Sequence, residues 1–509
     1  MAAPARRRAA AGAGRGGRRA GRLRGGRRRP GSRCADAARA LRDLPPGRVV
    51  GHRTRPAALG RRTPGAGVLA LGPRGQRPRP PLLRPQRVRR RRQPRAVRGP
   101  RHLGDQDGPT MSTPRAPYFD LADPTFDVTS PTVHAARDES WYVETNWGWA
   151  VLRHAEVSAL LRDRRFRQGN ARWPAQNGIH SGLFSDWWQE TLLSLEGDDH
   201  ARIRRLLMPA FRNKTIAAMR PRFQALADEL IDGFAERGSV ELISEFAEPY
   251  AARIICVLLG LPEDNWHQVA QWADDLGASF SIDVGNQVPK IEVALSGLYA
   301  YVEEVVADRR AHPQDDLVTT LVQATDDGDR LTEHELAVAL VFLAFAGMET
   351  TRNQLGLALQ TLLEHPDQWR LLGERPELGD NAVEEVMRVN PTVTWVTREA
   401  LEDVEFQGLH IPRGGIVQTL SHSAGTDPAA MPDPAFDITQ QRPPHHGFGA
   451  GVHHCLGHFV ARTDMAVALP LLARRMPDAV PDGPGRWLPV SGNTGALSFP
   501  IRFTPGGTS

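Results

Sequence analysis

From Gly197 onward, apolar residues recur every three or four positions along most of the chain, the spacing that gives a helix one buried face. The pattern predicts helices near residues 198–211, 215–237, 242–259, 263–279, 288–311 and 315–325. One long helix follows from Thr332 to about Glu364, then shorter ones near 367–374 and 378–389. Strand-like patterning is confined to short runs. Trp141-Tyr142-Val143 and Trp149-Ala150-Val151-Leu152 flank Asn146-Trp147-Gly148, a strand pair with a turn, and His154 to Arg162 reads as a short helix. Further β segments are expected at 393–398, 403–411 and 415–420, the last two joined through Pro412-Arg413-Gly414-Gly415. A final helix, from Leu456 to about Met476, precedes a β-rich tail. Residues 166–195 show no clear period but hold Trp173, Phe184, Trp187 and Trp188, an unusual content for so long a loop. No internal repeat is visible. The expected fold class is mainly α with a minor β-sheet region.

Charge divides the chain in two. It carries 64 basic and 58 acidic residues, yet residues 1–110 hold 31 arginines, four aspartates and neither lysine nor glutamate, a net of +27. Residues 111–509 carry −21, so the basic character belongs to the leader. Rich in Arg, Gly, Pro and Ala and without apolar periodicity, the leader is predicted to be disordered. It reads as translated upstream sequence of a GC-rich gene, with the start at Met111-Ser112-Thr113-Pro114; Lys214 and Lys290 are the chain's only lysines. A nucleic-acid-binding arm and a targeting peptide are the competing readings. On the first reading neither nucleic acid nor a membrane is a partner. Residues 111–509 then form a single domain, long enough for one large core. Cys34, Cys256 and Cys455 make no disulfide framework, which points to a reducing cytoplasm. Cys256, in Ile254-Ile255-Cys256-Val257-Leu258-Leu259, reads as core. The longest uncharged apolar stretch, Leu336 to Met348, has 13 residues before Glu349, too few to span a bilayer.

The densest chemistry lies in Phe448-Gly449-Ala450-Gly451-Val452-His453-His454-Cys455-Leu456-Gly457. One cysteine framed by three glycines suits a thiolate under a large flat metal cofactor, because glycine lets backbone lie against a macrocycle. At a helix N-terminus, free N–H groups and the helix dipole would stabilise the sulfur anion. A buried structural cysteine is one alternative. A zinc cluster with His445, His446, His453, His454 and His458 is another, though paired ligand spacings are missing.

The run resembles the cysteine-ligand loop of the bacterial cytochrome P450 family, Phe-Gly-x-Gly-x-His-x-Cys-x-Gly. Ala461-Arg462 follow at the expected offset, and Val460 replaces the usual leucine. The resemblance covers essentially all of residues 115–509. It implies haem b (iron protoporphyrin IX) with an axial thiolate from Cys455, which favours O–O cleavage, and Phe448, Gly449 and Gly457 against the cofactor. Ala346-Gly347-Met348-Glu349-Thr350-Thr351 resembles the oxygen-binding motif Ala-Gly-x-Glu/Asp-Thr-Thr. A glycine inside a helix costs about 1 kcal/mol, which suggests a purpose: small residues leave room for a diatomic molecule, and a hydroxyl can replace a backbone hydrogen bond. The resemblance makes Thr350 the catalytic alcohol, with Glu349 feeding protons, and puts Ala346 and Gly347 beside the cofactor. His200, Arg204, Arg398 and His453 match positions that bind the two haem propionates. Glu385 and Arg388, three apart on one helix face, match the structural Glu-x-x-Arg pair.

Two departures stand out. Ala424-Gly425-Thr426-Asp427-Pro428 replaces the common Ala-Asn-Arg-Asp-Pro. In Phe436-Asp437-Ile438-Thr439-Gln440 the expected bracing arginine arrives two residues late, as Arg442. The resemblance implies a monooxygenase that takes electrons from a separate ferredoxin or flavodoxin-type donor with its reductase and oxidises a small organic molecule with O2. Hydroxylation in secondary metabolism leads. Desaturation or aromatic coupling on the same scaffold is the alternative, and a haem-binding sensor a remoter one. The donor is expected near Arg202, Arg205, Arg212 and His458. Pocket walls are expected from the 166–190 loop, residues 263–290, Leu343, Met348, Val393 to Val396 and Ser491 to Ala496.

Overall fold

The computed structural model describes residues 116–323, 331–489 and 491–506. The basic leader, Met111 and the last two residues of the helix expected at 315–325 lie outside the described residues.

The helical body is organised around one long helix. In chain order the helices are α1 (Pro131–Glu139), α2 (His154–Leu160), α3 (Trp173–Gln176), α4 (Leu183–Glu190), α5 (Gly197–Leu207) and α6 (Asn213–Asp232). They continue with α7 (Glu248–Leu259), α8 (Trp266–Gly277), α9 (Val284–Ala311), α10 (Leu317–Gln323) and the long α11 (Glu333–Leu363). Then come α12 (Pro366–Glu374), α13 (Gly379–Val389), α14 (Ser421–Gly425) and α15 (His458–Arg475). Helix α11 starts at a capping box: Thr332 Oγ1 accepts the Glu335 N–H at 3.1 Å and the Glu335 carboxylate accepts the Thr332 N–H at 2.8 Å. It is apolar nearly all round because α7, α8, α9 and α13 pack about it. By length and composition α11 could cross a bilayer, but 67% of its most apolar window is buried inside the protein, as in a core helix.

A six-stranded sheet has the order β1-β2-β3-β9-β6-β4, with β1 Tyr118–Phe119, β2 Tyr142–Thr145, β3 Gly148–Val151, β4 Phe166–Gln168, β6 Trp395–Ala400 and β9 Ile416–Leu420. The β6–β9 register pairs Thr397 with Gln418 and Arg398 with Val417. Smaller sheets join β5 (Ser239–Glu241) to the C-terminal strands β10 (Val480–Pro481) and β13 (Pro500–Arg502), and pair β11 (Arg486–Trp487) with β12 (Ala496–Ser498).

Several expectations are corrected. Residues 166–195 are not one loop: they form β4, a 3₁₀ turn, α3 and α4. In α4, Phe184, Trp187 and Trp188 are buried at spacings of three and four, a helical signal too short to register against its flanks. Residues 403–411 form a hairpin of β7 (Val404–Phe406) and β8 (Leu409–Ile411), turned by Gln407 (φ 48°) and Gly408 (φ 84°). Strand β5 was not expected. Helix α5 gives way to a 3₁₀ turn at Met208, before Pro209, and α15 begins at His458, two residues later than the spacing suggests. Cys256 is core, as read.

Candidate active site

The loop before α15 is a tight reversal. Gly449 N–H donates to His446 O at 2.8 Å and Cys455 N–H to Phe448 O at 3.0 Å. Gly449 (φ 64°) and Gly451 (φ 76°) adopt the left-handed backbone that glycine tolerates. A Cβ on Gly451 would lie 2.6 Å from Leu161 O, so the loop is wedged against the end of α2. At Gly457 a Cβ would meet nothing within 4 Å, and at Gly449 only Val396 Cγ2 at 3.9 Å, leaving a flat, open floor around Cys455. Arg462 stacks on the Phe448 ring at 4.5 Å and grips Glu384 with two hydrogen bonds of 2.5 and 3.1 Å.

Cys455 is exposed, but onto an interior cavity of about 370 Å³ that the loop and α11 both line. Burial within the fold pushes its thiol up, while the Gly457 N–H, Arg204 and Arg462 pull the other way. On one side of the cavity stand His200, Arg204, Arg398 and His453. The rings of His200 and His453 lie 4.3 Å apart, and His453 Nε2 is 3.0 Å from Glu196 Oε1. Arg204 donates to His454 O at 2.6 Å; Arg398 donates to the Gln168 side chain and to Ala450 O. Burial first, then His453 and Arg204, draws His200 down to about 4. His200 is 3% exposed, and among the described residues its Nε2 has no partner. Two guanidiniums and two imidazoles converging on one edge, with an orphaned donor atom, fit a pair of carboxylates. With the open floor around a lone cysteine sulfur, the residues fit a flat macrocycle bearing two acid groups.

Across the cavity, α11 presents Ala346, Gly347, Glu349 and Thr350. Thr350 Oγ1 donates to Ala346 O at 2.7 Å, and the helix is unbroken there, so the hydroxyl adds to the backbone ladder where replacement of a bond was expected. Gly347 has an additional reason: a Cβ there would come 2.2 Å from Ile255 Cδ1, so its absence lets α7 approach. Glu349 is 4% exposed, and burial, with Asp274 adding and Arg352 opposing, pushes its carboxyl up to about 7. Among the described residues its Oε2 has no partner, while Asn353 Nδ2 lies 3.4 Å from Oε1.

Glu385 and Arg388 form a bidentate pair at 2.6 and 2.8 Å, each 1% exposed. Arg388 also donates to the carbonyls of Gly425 and Pro434. Both sequence departures are accommodated here. A Cβ at residue 425 would lie 2.2 Å from Arg388 O, so glycine suits the spot where asparagine is common. Arg442, though two residues late, reaches Ala435 O at 2.6 Å and Glu385 Oε1 at 3.4 Å. The bracing persists by another route.

The expected walls mostly line the cavity: Trp173, Trp188, Phe280, Leu343, Trp395 and Ser491 among them. Met348 does not; it is fully buried elsewhere. Met348, two positions before Thr350 and so on another part of the helix circumference, packs into the main core instead. The same phase identifies the missed wall residues Phe342 and Phe345, beside Ala346 and Glu349. Ile255 and Leu258 of α7 were missed because no local pattern separates a cavity face from core. Of the expected donor-facing residues, Arg202 is engaged by Glu335 of α11.

The sequence profile of the family described as cytochrome P450 matches residues 266–476. The chain is similar to luteothin monooxygenase of Streptomyces thioluteus, 36% identical over 392 residues, covering 76% of this chain and 96% of that protein. It is 34% identical to mycinamicin IV hydroxylase/epoxidase of Micromonospora griseorubida, over 69% of this chain and 89% of the relative. Among solved structures, CalO2 matches with a TM-score of 0.69 at 32% identity, covering 75% of this chain and 99% of its own.

Proposed function

The chain belongs to the cytochrome P450 family of haem-thiolate monooxygenases, and on that premise we propose that it hydroxylates a small, largely apolar molecule of bacterial secondary metabolism. One observation carries the reading: Cys455 and the Glu349–Thr350 pair face a single apolar cavity, one from the loop and the other from α11. The Cys455 thiolate would hold haem b. His200, Arg204, Arg398 and His453 take the propionates; Ala346, Gly347, Phe448, Gly449 and Gly457 shape the two faces of the slot. Bound haem supplies the redox chemistry by which O2, two electrons and two protons become water and one oxygen atom placed on the substrate. Thr350 holds a proton at Oγ1 for that reaction, and Glu349, protonated below about pH 7, replenishes it. The aromatic and aliphatic walls exclude water and hold the substrate.

Electrons come from a separate ferredoxin or flavodoxin with its reductase, since the chain carries no flavin or nicotinamide fingerprint of its own. The donor meets the cysteine side near Arg202, Arg205, Arg212 and His458, in the cytoplasm. Optical titration of the ferric protein selects a ligand that displaces the iron-bound water; mass spectrometry of its product reads the reaction. With that ligand, Thr350→Ala is expected to lower product per NADPH by on the order of 100-fold, the scale of a positioned proton donor. The lost electrons should reappear as hydrogen peroxide. Unchanged coupling would remove Thr350 from the mechanism.

In this reading residues 111–509 form a single catalytic domain. A chain begun at Met111 should load haem and turn over at the full-length rate; loss of folding on truncation would assign the leader a role.

A further inference from the structure

Glu349 does not stand alone on α11: a chain of polar contacts runs from it to the protein surface. Asn353 Nδ2 lies 3.4 Å from Glu349 Oε1, and Arg352 Nε donates to Asn353 Oδ1 at 3.3 Å. The other end of the same guanidinium meets Asp274 Oδ1 of α8 at 2.6 Å and Glu248 Oε2, at the start of α7, at 3.8 Å. Arg352 is 4% exposed, whereas the side chains of Asp274 and Glu248 are 41% and 35% exposed. The outer end of the chain therefore touches solvent and the inner end is dry. Helix α8 also touches Glu349 directly: a Cβ on Gly277 would lie 2.8 Å from the Glu349 carboxyl, so a side chain there would displace it. Asp274 and Gly277, three residues apart, thus share the face of α8 that covers this acid.

We propose that Asp274, Arg352 and Asn353 are positioning residues for Glu349: Asp274 keeps the guanidinium engaged on α8, so the neighbouring carboxyl retains the proton it hands toward Thr350. The proposal rests on the reading of Glu349 as a proton donor and adds what maintains it. In the cycle, the Glu349 O–H bond breaks, the proton passes inward, and the carboxylate regains a proton from solvent, with the guanidinium remaining protonated throughout; no electrons move. The charged groups around Glu349 are Arg352 on its own helix, Asp274 from α8 and Glu248 from α7, the last influenced by His267. Burial raises Glu349, Arg352 opposes and Asp274 adds. The two partners therefore push in opposite directions, and their removal should do so too.

The test is an infrared pH titration of the resting ferric protein, following the protonated-carboxyl band that Glu349→Gln abolishes. Asp274→Asn frees the guanidinium to turn to Glu349, and the midpoint should fall by about one pH unit or more. Arg352→Met leaves the carboxylates facing one another, and the midpoint should rise by a similar amount. The double variant should return close to the parent value. Asp275→Asn, one residue away and paired with Lys290 at 2.9 Å, should leave the midpoint in place. Midpoints that stay fixed in both single variants, or move the same way, overturn the proposal. Should Arg352→Met not fold, the contrast of Asp274→Asn with Asp275→Asn decides. Failure of the underlying reading is seen separately: Glu349→Gln would then leave the ratio of peroxide to product unchanged.

Discussion

Cys455→Ser protein, reduced under carbon monoxide, is expected to lack the red-displaced Soret absorption of a thiolate-ligated haem and to lose turnover entirely. A serine hydroxyl holds its proton far more tightly than a thiol, so it offers no comparable anion at neutral pH. Around Cys455 the protein can tip that balance only for sulfur: the Gly457 N–H, Arg204 and Arg462 all favour the anion against burial. The fold should survive, because the substitution is nearly isosteric and the loop is shaped by its glycines and by the Arg462–Glu384 grip. Circular dichroism should therefore match the parent while the absorption band disappears. Cys256→Ser supplies the contrast. That thiol is buried in α7, pushed up to about 12, and its replacement should leave the band intact. A Cys455→Ser protein that kept the band would show that another group ligates the iron.

Glu385→Ala should unfold or nearly unfold the protein. Removing one partner of a buried ion pair leaves the other charge uncompensated, at about 3–5 kcal/mol. Arg388 would remain 1% exposed with only neutral acceptors to donate to, and Arg442 and the Asp437 N–H would lose an acceptor as well. A loss of that size is a large part of the roughly 5–15 kcal/mol that holds a domain together. Equilibrium urea unfolding measures it directly. The same substitution in the exposed Arg375–Glu377 pair, 53% and 63% exposed, should cost under about 1 kcal/mol. Equal losses at the two sites would mean that burial is not what gives the Glu385–Arg388 pair its weight.

How much of this was legible beforehand depends on range. Helical periodicity located α11 to within a residue at each end, because its 31 residues carry the signal many times over. The cysteine loop, the Thr350 hydroxyl and the Glu385–Arg388 pair are local patterns and could be read as such. What stayed hidden is non-local. Arg442 reaches Glu385 through folding of the 433–442 segment, so its two-residue displacement looked like a defect when read along the chain. The need for Gly425 comes from Arg388 O, 37 positions earlier. Met348 was misassigned for a different reason: its apolar character was weighed and its helical phase was not. Asp274 and Arg352, 78 positions apart, meet only because α8 packs on α11.

Glu335 serves two masters. Its carboxylate closes the capping box that begins α11 and at the same time engages Arg202, between the His200 and Arg204 of α5. A change there would loosen the helix start and the arm bearing the propionate-binding side chains together. Positions 202, 332 and 335 are thus expected to drift through evolution as a set, each tolerating novelty only when the other two have already changed.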